Sequence, residues 1–230
     1  MSNINLNTKC IFVHVPKTGG TSMSNVSWNK VTYYNYYGHY SIKDFSEMVD
    51  VSKYFKWCFV RNPWSRLLSG YDHSLDFKNT FSTFEGFVNA LYKHKNTYQK
   101  LDYNWSKIIE GIPELPKTSP EMFLTCQKAF LTVDGKVNMN FIGRYEKLQT
   151  DWIILCSLLK NKKHKPIALD LETWVKELDN CKLPHERNRK TESHSQYSSK
   201  PWQEYYTKEM IDLVGEVYEQ DIKEFNYKFE

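Results

Sequence analysis

The chain has 230 residues, enough for one domain with a sizeable core, and 40% of them are hydrophobic. Its 31 Lys and Arg against 27 Asp and Glu leave a net charge of +4, with the signs well mixed. That balance suits an anionic ligand in a local pocket and falls short of the basic excess of a nucleic-acid footprint. No stretch approaches the ~18 apolar residues of a membrane span, and MSNINLNTK lacks the apolar core of a signal segment. The expectation is a soluble, cytoplasmic protein with no nucleic-acid partner. The cysteines (Cys10, Cys58, Cys126, Cys156, Cys181) are odd in number and form no Cys-x-x-Cys pair, so buried thiols are expected rather than disulfides or metal ligands.

Taken in order, the first element is the apolar run Cys10 to Val15, a buried strand by its β-branched content. Pro16 cannot continue a central strand because it has no N–H to donate. Lys17-Thr18-Gly19-Gly20-Thr21-Ser22 then forms a small-residue turn into a helix expected over Thr21 to Trp28. Strand, glycine turn and helix N-terminus together make an anion site: free N–H groups point outward and glycines admit a phosphate. Lys17 adds charge to the rim, and the hydroxyls of Thr18, Thr21 and Ser22 add donors. A nucleoside-triphosphate loop places Gly-Lys-Ser/Thr at its end; here the lysine precedes the glycines. An ordinary strand–turn–helix junction explains the run equally well when it is taken alone.

VTYYNYY (Val31 to Tyr37) reads as a second strand. Gly38-His39 follows, and Ser41 caps a helix with Ile42, Phe45 and Val49 at helical spacing. His39 sits where α/β sheets present functional groups, although a partly exposed loop histidine is the plainer explanation. Lys56 to Val60 is a third strand. Asn62 then caps, and Pro63 opens, a helix with Trp64, Leu67, Leu68 and Tyr71 on its buried stripe. Arg61 at the strand end and Ser69 about two turns along can converge on one phosphate; an ion pair for Arg61 and a packing role for Ser69 are the alternatives. Arg66 reads as solvated or structural.

Residues 72–120 form a helical and loop insertion, in which Ser82-Thr83-Phe84-Glu85 begins a helix through Tyr92 whose core face is Phe84, Phe87, Val88 and Leu91. Tyr98, Tyr103 and Trp105 either offer stacking faces or cover the lobe's own core. Pro120 to Leu131 is helix or strand, Asp134-Gly135 is a hairpin turn, and Phe141 to Tyr145 is a fourth strand. A helix from Glu146 follows, with Leu148, Trp152, Leu155 and Leu159 on one face. Arg144 reaches either a sulfate or its neighbour Glu146. Lys160 to Lys165 is a basic helix end, and Leu183 to Ser199 is a polar loop. Thr207 caps a long closing helix with Ile211, Val214, Tyr218, Ile222 and Phe225 on its stripe.

HVPKTGGTS, YYGHYSIKDF, RNPWSRLLSGY and IGRYEKLQTDW, in this order, resemble the sulfotransferases that use 3′-phosphoadenosine 5′-phosphosulfate (PAPS), nearest the carbohydrate 2-O-sulfotransferase branch. The resemblance implies an α/β fold, a single domain over 1–230 with a central parallel sheet flanked by helices. It further implies transfer of the PAPS sulfonate to a hydroxyl, most naturally of a carbohydrate. On it, Lys17 and the loop Thr18, Gly19, Gly20, Thr21 and Ser22 hold the 5′-phosphosulfate, and Arg61 with Ser69 grips the 3′-phosphate. His39 is the base that deprotonates the acceptor. Arg189, Lys190 and Thr191 resemble the segment that closes over the nucleotide, and Gln127 falls where the family often has glutamine before Phe-Leu. The family's animal Golgi enzymes carry a membrane anchor, which this sequence lacks. No metal is implied. Two other classes compete. A nucleotide kinase would need a triphosphate loop and a metal-holding Asp beside the cradle, and a non-catalytic glycan- or nucleotide-binding relative would not require the histidine.

Overall fold

The computed structural model describes residues 4–5, 9–24, 38–101, 103, 111–117, 119–160 and 200–230. Its centre is a four-stranded sheet in the order β1 (Ile4–Asn5), β2 (Cys10–Val13), β3 (Phe55–Val60) and β6 (Phe141–Arg144). β2, β3 and β6 run parallel, and β1 is an antiparallel edge that the sequence did not announce. Pairing of Val13 with Cys58 and of Val60 with Arg144 brings the carboxyl ends of the three parallel strands to one side of the sheet. In open α/β sheets that side carries the ligand. The expected strand Val31 to Tyr37 lies outside the described residues.

Alternation along the strands separates two cores, as a period of two requires. Ile11, Val13, Cys58 and Val60 face a large cluster built by α2 (Ile42–Met48), α3 (Pro63–His73), α5 (Phe84–Lys93), α7 (Gln127–Leu131) and α9 (Lys208–Val217). Phe12, Trp57 and Phe59 face the other way, onto Trp152, Leu155 and Leu159 of α8 (Leu148–Lys160) and Met23 of α1 (Gly20–Ser24). Every residue of β2 and β3 is buried, which is why both read as continuous apolar runs rather than alternating ones.

The caps fall where the side-chain chemistry requires. Ser41 forms a reciprocal capping box with Asp44, Asn62 accepts from Trp64 N–H and Ser65 N–H with Pro63 behind it, and Thr83 and Thr207 cap α5 and α9. Two short helices not read from the sequence, α4 (Leu75–Thr80) and α6 (Lys95–Tyr98), fill the lobe after α3. The long closing helix breaks at Tyr218, and α10 (Glu219–Phe225) ends on a left-handed Asn226. Pro120 to Leu131 is a short 3₁₀ turn followed by α7. The hairpin β4 (Thr132–Val133) and β5 (Lys136–Val137) turns through Asp134 and Gly135, both with positive φ.

The acceptor-side aromatics resolve against the stacking alternative. Tyr98 is fully buried and its hydroxyl bonds Glu121 at 2.5 Å, while Tyr103 packs on Phe130 with ring centroids 4.2 Å apart. Both belong to the lobe's own core, so neither offers a face to a sugar. Trp105 lies outside the described residues. Cys10, Cys58, Cys126 and Cys156 are buried free thiols, and Cys181 lies outside.

Candidate functional site

The site gathers around the carboxyl ends of β2 and β3. After Val13 the chain leaves the sheet through His14, and Lys17 (φ 66°) and Gly19 (φ 87°) are both left-handed. A left-handed Lys costs strain that Gly does not incur. Gly19 O then accepts from Ser22 N–H and Met23 N–H to start α1. Gly20 is required for space: a Cβ there would sit 1.7 Å from His14 Nε2. Thr18 corrects one expectation. Its side chain is fully buried and its hydroxyl donates to Val15 O at 2.8 Å, so it locks the turn, and only its backbone N–H is left for an anion.

Lys17 extends over the ring of Phe123, with Nζ 5.7 Å from the centroid. The same ring meets His39 edge-on at 6.2 Å and packs on His73 of α3 at 5.8 Å. His39 stands beside His14 with centroids 4.3 Å apart, and its Nδ1 lies 2.9 Å from the His14 carbonyl. A carbonyl can only accept, so Nδ1 carries the proton and Nε2 keeps a lone pair. Burial, followed by the charges of Arg66 and Lys17, holds the His39 pKa down at about 4, against the opposing effect of the His14 hydrogen bond. His14 too is held well below the ordinary imidazole value, by burial and then by the charges of His39 and Lys17. The pair is therefore neutral at pH 7. His14, His73 and Phe123 were not singled out in the sequence; only His14, at a strand end next to the glycine loop, carried a signal that could have found it.

Beyond β3, Arg61 is half-buried and points back at the first loop. Its Nε donates to Ser65 Oγ at 2.9 Å, its Nη1 lies 3.3 Å from Lys17 O, and its guanidinium stacks on Tyr145 at 4.2 Å. Ser69 is half-buried on the same helix, one turn beyond Ser65. The backbone of Arg61 is gripped by Gln127, whose Oε1 accepts from Arg61 N–H and whose Nε2 donates to Arg61 O, both at 2.8 Å. The side-chain amide thus acts as one more rung of the sheet. Gln127 is fixed in turn by Asp221, which accepts from the amides of Gln127 and Lys128 at 2.8 Å each.

Arg144 and Glu146 are occupied elsewhere. Arg144 donates to Phe225 O and stacks on Tyr227, and Glu146 accepts from Asn62 N–H at 2.6 Å and from the Tyr227 hydroxyl at 3.1 Å. They clamp the C-terminal tail to the end of β3, so the expectation of a sulfate contact or a mutual ion pair is replaced by this clamp. Arg189, Lys190 and Thr191 lie outside the described residues. Among the described residues no cluster of His, Cys, Asp or Glu could hold a metal ion, and no helix is long and apolar enough to cross a membrane.

A family model described as "Sulfotransferase family" matches residues 2–228, nearly the whole chain. The chain belongs to that family. No curated protein and no solved structure matches it. Its α/β architecture, a mostly parallel sheet with helices on both faces, is that of a sulfotransferase, and the chemistry of such an enzyme is sulfonate transfer from a donor to an acceptor.

Proposed function

We propose that this sulfotransferase moves the sulfonate of PAPS to a hydroxyl group, with a carbohydrate as the acceptor class and with Lys17 and His39 as the catalytic residues. The observation that carries the reading is the convergence of three groups: Lys17 and His39 share the ring of Phe123, and the Arg61 guanidinium lies against the Lys17 carbonyl. The residues present fit a phosphosulfate. The turn through left-handed Lys17 and Gly19 suits a backbone cradle for its oxygens, and Lys17 and Arg61 bring cationic groups from the ends of two strands.

PAPS supplies an activated sulfonate and a phosphate leaving group. The acceptor oxygen forms a bond to sulfur while the sulfur–oxygen bond to the 5′-phosphate breaks in line. Lys17, the amides of Gly19, Gly20 and Thr21 and the Ser22 hydroxyl hold the phosphosulfate and stabilise the electron pair that passes to the departing phosphate. His39 Nε2 takes the proton of the acceptor hydroxyl, with its tautomer set by the Nδ1 bond to His14 O. A pKa of about 4 makes for a weak base; the negative charge of a bound donor offsets Lys17 and Arg66 and raises it toward neutrality. Arg61 and Ser69 hold the 3′-phosphate and set the register, and Arg189, Lys190 and Thr191 close over the nucleotide.

The test is thermal stability with 3′,5′-ADP, using 5′-AMP and ATP as controls, followed by transfer from PAPS to a panel of oligosaccharides. A ligand that binds only the folded state stabilises by about 2.7 kcal/mol at a hundredfold excess over its Kd. A shift with 3′,5′-ADP and none with 5′-AMP is expected. Protection by ATP alone would replace this reading with a nucleotide kinase.

A further inference from the structure

Arg66 is a buried charged side chain, 1% exposed, that contacts neither donor nor acceptor in the steps above. Its Nε donates to Pro16 O at 2.9 Å, immediately before left-handed Lys17, and its Nη1 donates to Thr125 O at 3.0 Å, two residues after Phe123. Its backbone lies on α3, which also carries Ser69 and follows Arg61. One guanidinium thus joins the three segments that present Lys17, Phe123 and the Arg61–Ser69 pair. We propose that Arg66 is a positioning residue of the transfer site, bracing the backbone under Lys17 and the segment bearing Phe123 against the helix that holds the far end of the donor. The inference rests on the roles given above to Lys17 and His39.

Stability alone gives little reason for this arginine. The remaining Nη2 is buried without a hydrogen-bond partner among the described residues, as is the Thr125 hydroxyl. Asp221, the carboxylate whose charge acts on Arg66, already has both oxygens on the amides of Gln127 and Lys128. A buried cation without a direct ion pair is costly, and an apolar residue of similar length is often the more stable choice. What the charge adds is a field on the base. His39 is faced by His14 and Lys17 from β2 and its loop, by Arg66 from α3, with His73 behind Phe123, and by the uncharged Phe123 from the segment before α7. After burial, the charges of Arg66 and Lys17 are what keep His39 neutral and its Nε2 unprotonated.

Three measurements decide the matter. In the wild-type protein without donor, the His39 ring resonance, assigned with His39→Asn, stays that of neutral imidazole through pH 5; a midpoint near the ordinary 6.5 overturns the inference. Because the unfolded chain then binds the proton first, His39 lowers folding stability as the pH falls from 6.5 toward about 4. Arg66→Lys keeps the charge but cannot serve both carbonyls: about tenfold or more is lost in kcat, with the His39 midpoint near its wild-type value. Arg66→Met loses both: kcat falls further, and the His39 midpoint and the acid limb of kcat/KM move upward. Folded variants with wild-type kcat and midpoint overturn the proposal, and so does loss of folding in both, which would make Arg66 purely structural. Failure of wild-type protein to use PAPS while the His39 titration behaves as described removes the reading of the reaction instead.

Discussion

The two strand ends that build the site are held in opposite ways. After β2 the chain turns through left-handed Lys17 and Gly19 and commits the Thr18 hydroxyl to its own backbone. After β3 it runs straight into a capped helix. There the backbone of Arg61 is gripped by Gln127 and the N–H of Asn62 by Glu146, so only the Arg61 side chain is presented. The first end offers backbone and one ammonium, a compact charge that suits an anion whose charge changes during a reaction. The second offers a stacked, hydrogen-bonded guanidinium, which suits a charge that must only be anchored.

The sharpest way to break that contrast is to truncate the two cations separately. Lys17→Ala is expected to lower turnover by about 10²–10³-fold, the scale of a lost transition-state contact, while 3′,5′-ADP still raises the melting temperature. Arg61→Ala should do the reverse, chiefly abolishing that thermal shift. If Lys17→Ala retained full turnover in a sulfonate-transfer assay, the division of labour between the strand ends would be wrong.

Gln127→Leu attacks the second end through its support. It strips partners from both polar groups of the Arg61 backbone next to a fully buried side chain, and each buried group left unpaired costs about 1–3 kcal/mol. A drop of that order in urea-unfolding stability, with weaker 3′,5′-ADP binding, is expected; unchanged stability would show that the strand end holds without the amide. The matching test on the first end is Gly20→Ala. Its Cβ would lie 1.7 Å from His14 Nε2, so the His14 ring must shift and its contact with His39 is disturbed. A loss of about 1–3 kcal/mol is expected from overpacking, with turnover falling alongside it.

The same contrast explains what could be read without coordinates. β2, β3 and β6 were legible because apolar, β-branched and aromatic runs ended at Pro16, at Asn62-Pro63 and before α8. Ser41, Asn62 and Thr207 announced their helices through cap chemistry that acts over three or four residues. Tyr98 and Tyr103 looked exposed because their neighbours in sequence are polar, whereas their burial is decided by Glu121 and Phe130, far along the chain. The inward turn of Thr18 depends on the left-handed backbone beside it, and no side-chain pattern encodes that. Arg144 was misassigned for a related reason: its partner is the carbonyl of Phe225, a group every residue possesses and no motif can mark. Elements set by local chemistry were readable, and contacts made across the fold were not.

The smallest expected effect probes the outermost layer of the second strand end. Tyr227 is 7% exposed, donates its hydroxyl to Glu146 at 3.1 Å and carries the Arg144 guanidinium over its ring at 4.8 Å. Tyr227→Phe deletes the hydroxyl and keeps the ring, so Glu146 retains the Asn62 amide and Arg144 keeps its stacking surface. About 1.5 kcal/mol of stability should be lost, the net worth of one hydrogen bond to a charged acceptor at the low end of its range. Thermal shift by 3′,5′-ADP should survive, because Arg61 is still held by Gln127. A strong loss of nucleotide binding in Tyr227→Phe would mean instead that the tail, rather than Gln127, sets the position of Arg61.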